Sequence, residues 1–300
     1  MTQTEPARPA GRRLLPGQAC RIHVSSPETD RLLYTTTERL YEAPNWAPDA
    51  HLVVNGDGLL WDLPLDGSSE PRPIETPGLP PVNNDHLLSP DGATIYASAN
   101  DGHIHAVPRH GGAARRITPD DGRLHFLHGV DPTGEHLAYV AITLGEPTVW
   151  IGHVRVIGVD GSGDHAVTQP GERHDDGPEY SPDGEWILFN TERFTTAAGH
   201  GQLARVRPDG SGLERLAETD RVDWFPHLSP DARHGVYISF PAGTLGHPEN
   251  LPVRLNLVEA PDWRRPVRTI ELFGGQGTIN VTSWAPDSAS FAWVDYPLGD

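Results

Sequence analysis

Hydrophobic residues in this chain come in short runs separated by polar turn formers. HLVVN (51–55), TIYASA (94–99), HLAYVAI (136–142), WILFN (186–190), GVYISF (235–240) and SFAWVDY (290–296) are the clearest. Each is rich in β-branched or aromatic residues and bounded by Gly, Asp or Pro, which predicts strands. No long stretch carries the 3.6-residue period of an amphipathic helix. One phrase stands before every run: WAPDA (46–50), LSPDG (88–92), VDPTG (130–134), YSPDG (180–184), LSPDA (228–232) and WAPDS (284–288). Pro presets φ for the second position of a β-turn, Asp tolerates the third, and Gly accepts a left-handed exit, so each copy predicts a tight turn between two strands. Third strands follow in GLLWDLPLDG (58–67), HIHAVPRHGG (103–112) and GQLARVRPDG (201–210), and fourth strands end in RRIT (115–118) or ERLA (214–217).

The repeated prolines stand at 48, 90, 132, 182, 230 and 286, a spacing of 42 to 56 residues. A four-strand repeat of that length is the signature of propeller blades. The sixth copy leaves room for only two strands before Asp300, while residues 21–38 offer two more with no turn phrase ahead of them. Pairing the two ends completes a blade and removes two free sheet edges. The expectation is an all-β, six-bladed propeller with four antiparallel strands per blade, the last closed by the N-terminal strands. Residues 1–20 read as a flexible tail and 21–300 as one domain.

Composition narrows the partners. The formal charge is −18 and no basic cluster exists, which excludes nucleic acid and anionic membrane as partners. A single cysteine, Cys20, rules out an internal disulfide framework. The N-terminal stretch has no apolar run long enough for an export signal or a membrane span, so the expected location is cytoplasmic. There is no Gly-x-Ser-x-Gly elbow and no phosphate-binding loop. GHGQLA (199–204) opens a strand rather than a helix, so no nucleotide cofactor is expected.

The 16 histidines carry the candidate chemistry. First strands line a propeller's channel, so residues just before each turn phrase face its mouth. His86 and His128 hold equivalent positions in adjacent repeats, and His227 lies one step out of register. Three imidazoles suit a divalent metal such as zinc, manganese or iron, with a position left for water. Asp176 or Asp175 would be a further ligand or the base, with His174 as another candidate base. Asn84, Arg193, Gln276 and Asn280 would grip a small-molecule substrate. His247 lies in an extension of the fifth repeat (243–252), where a loop on a rigid scaffold can carry function. A metal-free ligand pocket and a merely hydrated polar channel are the alternatives.

Four phrases go further than the general repeat: NNDHLLSPDG (83–92), DDGPEYSPDG (175–184), WFPHLSPD (224–231) and LFGGQGTIN (272–280). They resemble stand-alone TolB-like propellers, and the resemblance runs from about Arg21 to the end. TolB itself has an export signal and an additional N-terminal domain. This sequence shows neither, so the envelope role is not carried over. Related propellers, the oligogalacturonate lyases, hold a divalent ion among histidines and a glutamine and cleave sugar acids by β-elimination. That similarity implies a metal-dependent lyase or hydrolase acting on a small molecule, with carbohydrate as an analogy. The ligand spacing of the lyases does not map residue by residue. The rival reading is a non-catalytic TolB-like propeller that binds a peptide, sugar or protein at its mouth. The oligomeric state is not legible.

Overall fold

The computed structural model describes residues 11–143, 151–171 and 173–299. Strands in these residues form six sheets arranged as the blades of a propeller, and no helix occurs among them. In blade one the order outward from the axis is Glu42–Ala47, His51–Gly56, Leu59–Pro64 and Arg72–Pro73, all antiparallel. Blades two to five repeat it from inner strands Val82–Leu88, Arg123–Val130, Asp175–Tyr180 and Val222–Leu228. Outermost strands in the first four blades are two residues long, which leaves little unpaired edge.

The ring closes as the sequence predicts. Cys20–Ser25 pairs with Phe291–Asp295 on one side and with Asp30–Thr36 on the other. The blade departs from expectation at its inner position, where the segment before the last turn makes a single bridge, Trp284 to Phe291. A physical reason is visible at the axis. The carbonyls of Ile279, Asn280 and Thr282 accept hydrogen bonds from His227 (2.9 Å), His128 (3.2 Å) and Asn45 (2.8 Å) on other blades. These carbonyls serve the channel rather than a ladder. Residues 11–19, read as part of a tail, lie against the ring, with Gln18 bonded to the Tyr296 carbonyl at 2.7 Å.

All six turns share one geometry. The last residue of each phrase has positive φ: Ala50 62°, Gly92 70°, Gly134 75°, Gly184 72°, Ala232 56° and Ser288 63°. In the full Ser-Pro-Asp copies, Ser89, Ser181 and Ser229 donate to the Asp two residues on and accept the N–H of the next strand, at 2.5–3.0 Å. Adjacent turns nest: a Cβ on Gly92 would stand 2.6 Å from Pro48 of the preceding blade. Apolar residues fill the space between blades, as where Trp224, Phe240, Trp284 and Trp293 join blades five and six in one cluster.

Candidate active site

Inner strands break their register near the mouth, at Glu42/Asn45, Val82/His86, Asp176/Glu179 and Trp224/His227. The residue after the first of these in blades one, four and five has positive φ: Ala43 48°, Gly177 61° and Phe225 54°. Such a bulge re-aims the preceding side chain. An aromatic residue held at positive φ is a strained position, of the kind that gathers at functional sites. Beneath the loops of blades four and five lies a cleft of about 950 Å³. Asp85, His128, His174, Asp176, His247 and Gln276 make its polar wall, and Ile142, Ile151, Trp224 and Leu245 its apolar one.

Asp176 is the centre of the polar wall. Oδ1 accepts from the Gly177 N–H at 2.7 Å and lies 3.1 Å from His128 Nε2, while Oδ2 lies 3.1 Å from His174 Nε2. Burial alone would raise its pKa, but the two imidazoles hold it well below the ordinary carboxylate range. Asp176 is therefore a poor base and a good anchor. His128 donates from Nδ1 to the Asn280 carbonyl. Burial opposes its protonation, yet Asp85 at 3.9 Å and Asp176 together push it up to about 9, so it is an imidazolium at neutral pH. His174 accepts the Gly152 N–H at Nδ1 (2.8 Å), which leaves the ring proton on Nε2, facing Asp176. Burial works against protonating His174 and the Asp176 hydrogen bond outweighs it, so its pKa is raised.

Asp85 behaves differently. It is 4% exposed, and burial pushes its carboxyl up to about 6 with His128 opposing. That value suits a general base near neutrality. His247 packs on Trp224 at 4.4 Å with Nε2 3.9 Å from Asp176, and burial pushes it down to about 4. The Asn84 side chain accepts from Gln276 Nε2 (3.1 Å) and donates to Glu42 (3.4 Å). Behind them Arg12 reaches Glu42 at 3.0 Å, Glu249 at 2.6 Å and the Gln276 carbonyl, over the Tyr296 ring at 4.3 Å.

The structure does not gather the three histidines expected to share a metal. His227 spends Nδ1 on Glu179 and Nε2 on the Ile279 carbonyl. His128 spends both nitrogens on Asn280 and Asp176. His86 is fully buried with neither nitrogen partnered among the described residues, and burial pushes it down to about 3. Nor is His174 free to ligate through Nε2 while Nδ1 accepts an N–H. Among the described residues no group of three or more His, Cys, Asp or Glu is arranged to hold a metal ion. The donor set as folded does not fit one. Asp175 and Arg193, expected as base and substrate grip, are paired with each other at 2.6 Å, Asp175 with no exposed surface. Asn280 gives its side-chain oxygen to the Gly277 N–H (2.8 Å) and its carbonyl to His128. Of the expected residues, His128, His174, Asp176, Asn84, Gln276 and His247 line one cleft.

A protein of Agrobacterium fabrum with no assigned function is 38% identical over 272 residues, 89% of this chain and 88% of its own. A solved structure from Agrobacterium tumefaciens, provisionally assigned as TolB, is 35% identical with a TM-score of 0.84, covering 93% of this chain and 99% of that one. The chain belongs to the TolB-like β-propeller family. Among the solved structures, an oligogalacturonate lyase in complex with manganese is 11% identical, with a TM-score of 0.51 over 85% of this chain and 67% of the lyase. That likeness to the TolB-like ring is one of fold. No family model matches the sequence.

Proposed function

We propose that this TolB-like propeller binds a small molecule in the cleft and moves a proton on it, with Asp85 as general base. The observation that carries the reading is the buried Asp85 carboxyl, pushed up to about 6 and facing an imidazolium, His128, fixed by Asp176 and the Asn280 carbonyl. Perturbed carboxyl and imidazole groups meeting in a large cleft are the physical mark of such a site. Asp85 takes a proton from the ligand, or from water attacking it, and the proton rests on its carboxyl oxygen. His128 then stabilises the negative charge that develops, because its own charge is held in place beforehand. His174 orients Asp176 through a tautomer set by the Gly152 N–H. Asn84 and Gln276 present amide groups for orientation. Lyase or hydrolase chemistry follows according to whether the proton leaves carbon or water, and no step is routed through a metal. The reading extends to a cytoplasmic protein.

The non-catalytic alternative has one observation in its favour: Asp176, His128 and His174 satisfy one another without a ligand. Incubation with a small-molecule library, followed by mass spectrometry, separates the two. Wild-type turnover that Asp85→Asn abolishes while still binding supports the base. Equal turnover by both proteins refutes it.

A further inference from the structure

Two charges in the cleft stand outside the hydrogen-bonded acid–base group, although the field of Glu192 helps to raise the pKa of His174. Arg173 and Glu192 both line the cleft, at the mouth end of blade four, where the Glu192 N–H bonds to the His174 carbonyl at 3.0 Å. Other charged side chains nearby are matched: Asp176 with His128, Asp175 with Arg193, Arg12 with Glu42 and Glu249. Among the described residues neither Arg173 nor Glu192 makes an ion pair. They are opposite charges, close in the fold, and both turned to one cavity. Among the apolar residues that line the cleft, Leu245 is 71% exposed, whereas Trp224 is packed under His247. The cleft thus offers a cation, an anion and, at Leu245, an exposed apolar side chain together.

We propose that the ligand is a short apolar peptide with both ends free, its carboxylate on Arg173, its ammonium on Glu192 and its side chains against Leu245 and Ile151. This rests on the reading of the cleft as the ligand site. A guanidinium forks onto a carboxylate with two parallel hydrogen bonds, and an ammonium is a compact donor for a carboxylate. An anionic sugar acid would leave Glu192 facing its charge and the apolar wall against hydroxyls. A cavity of about 950 Å³ stands at the upper end of small-ligand sites, which favours two or three residues over a single amino acid.

Titration calorimetry with the full chain tests this, using Leu-Leu, N-acetyl-Leu-Leu, Leu-Leu-amide, Gly-Gly and trigalacturonate. Leu-Leu binds, and blocking either end or removing both side chains weakens it at least tenfold. Glu192→Gln removes the discrimination against the acetylated peptide alone, and Arg173→Gln that against the amide alone. Equal affinity for blocked and free peptides overturns the proposal, and so does preference for trigalacturonate. An Arg173–Glu192 pair closed in solution gives no peptide binding and overturns it too. Blocked ligands on the wild type keep the test valid should a variant fail to fold. Binding of Leu-Leu without turnover sinks the acid–base reading and leaves the ligand class standing. Turnover of a molecule lacking either charge does the reverse.

Discussion

Replacing His227 by Ala separates a structural histidine from a metal ligand. A ligand at a channel mouth is lost with little effect on the fold, since the blades supply the core. The geometry argues otherwise, because His227 is 1% exposed and joins Glu179 of blade four to the Ile279 carbonyl of blade six. Deleting one member of a buried ionisable pair costs about 3–5 kcal/mol, chiefly because the other is left buried and unpartnered. An orphaned carbonyl adds about 1–3 kcal/mol, with the two costs overlapping rather than summing. At roughly 2 °C per kcal/mol for a large domain, the melting midpoint should fall by about 6–10 °C. Differential scanning calorimetry at neutral pH measures this, with Glu179→Ala and the double variant completing a cycle. The double variant should lose less than the two singles added together, since neither partner is then stranded. His165→Ala is the comparison: its ring is exposed and bonds to the Gly163 carbonyl two residues away, so the change should stay within about 0.5 kcal/mol. A His227→Ala midpoint within a degree of wild type would refute the account of blade six.

Other expectations follow from the same structure. Turnover should be bell-shaped in pH, rising as Asp85 ionises through about 6 and falling as His128 deprotonates through about 9; a flat profile across both limbs counts against the assignment. His128 has a folded pKa above its unfolded value, so its stabilisation is complete below about pH 6.5 and lost as pH rises through about 9, on the order of 3 kcal/mol. Thermal melts of wild type and His128→Gln should therefore converge at high pH, and parallel curves would contradict this. Gly92→Val should destabilise more than Gly184→Val, because the added Cβ meets Pro48 at 2.6 Å in one case and Pro132 at 3.6 Å in the other; equal melting shifts would show that the nested turns do not matter. Arg12→Ala should speed amide exchange at Gln276 and Glu249 without lowering protection in the inner strands, and unchanged exchange would mean that Arg12 only decorates the mouth.

The fold was legible because its information is local. Turn phrases at 42 to 56 residue spacing mark each blade, and the closure was readable from two strands missing at one end and present at the other. His128, Asp176, His174, Asn84, Gln276 and His247, singled out by position before a turn or in an extended loop, line one cleft. Their roles were not legible, because a role depends on where each ring nitrogen points. His86 and His128 hold equivalent places, yet one has neither nitrogen partnered and the other is clamped between Asn280 and Asp176. Strand alternation puts Asp175 and Asp176 on opposite faces, which assigns one to Arg193 and the other to the cleft. Arg12 had no signal at all: nothing in MTQTEPARPAGRR says that one arginine crosses to Glu42.

The shared last blade also sets an order of events during synthesis. Arg21 and Asp295, which meet in that blade, lie 274 residues apart. At the roughly 5–20 residues per second of translation, the N-terminal strand waits about 15–55 s for its partner. Blades one to five can form in that interval, but the ring cannot shut, and Cys20–Ser25 stays a strand with an open side. The inner segment of blade six is made late as well, so His128 and His227 have no carbonyls to hold until Ile279 and Asn280 have been made. A circular permutant opened at the turn of residues 88–92 would bring the closing strands together early and move the late seam to blade two. The nascent chain is therefore most exposed to misassociation at the strands of this seam, and a change that speeds closure acts on yield before it acts on stability.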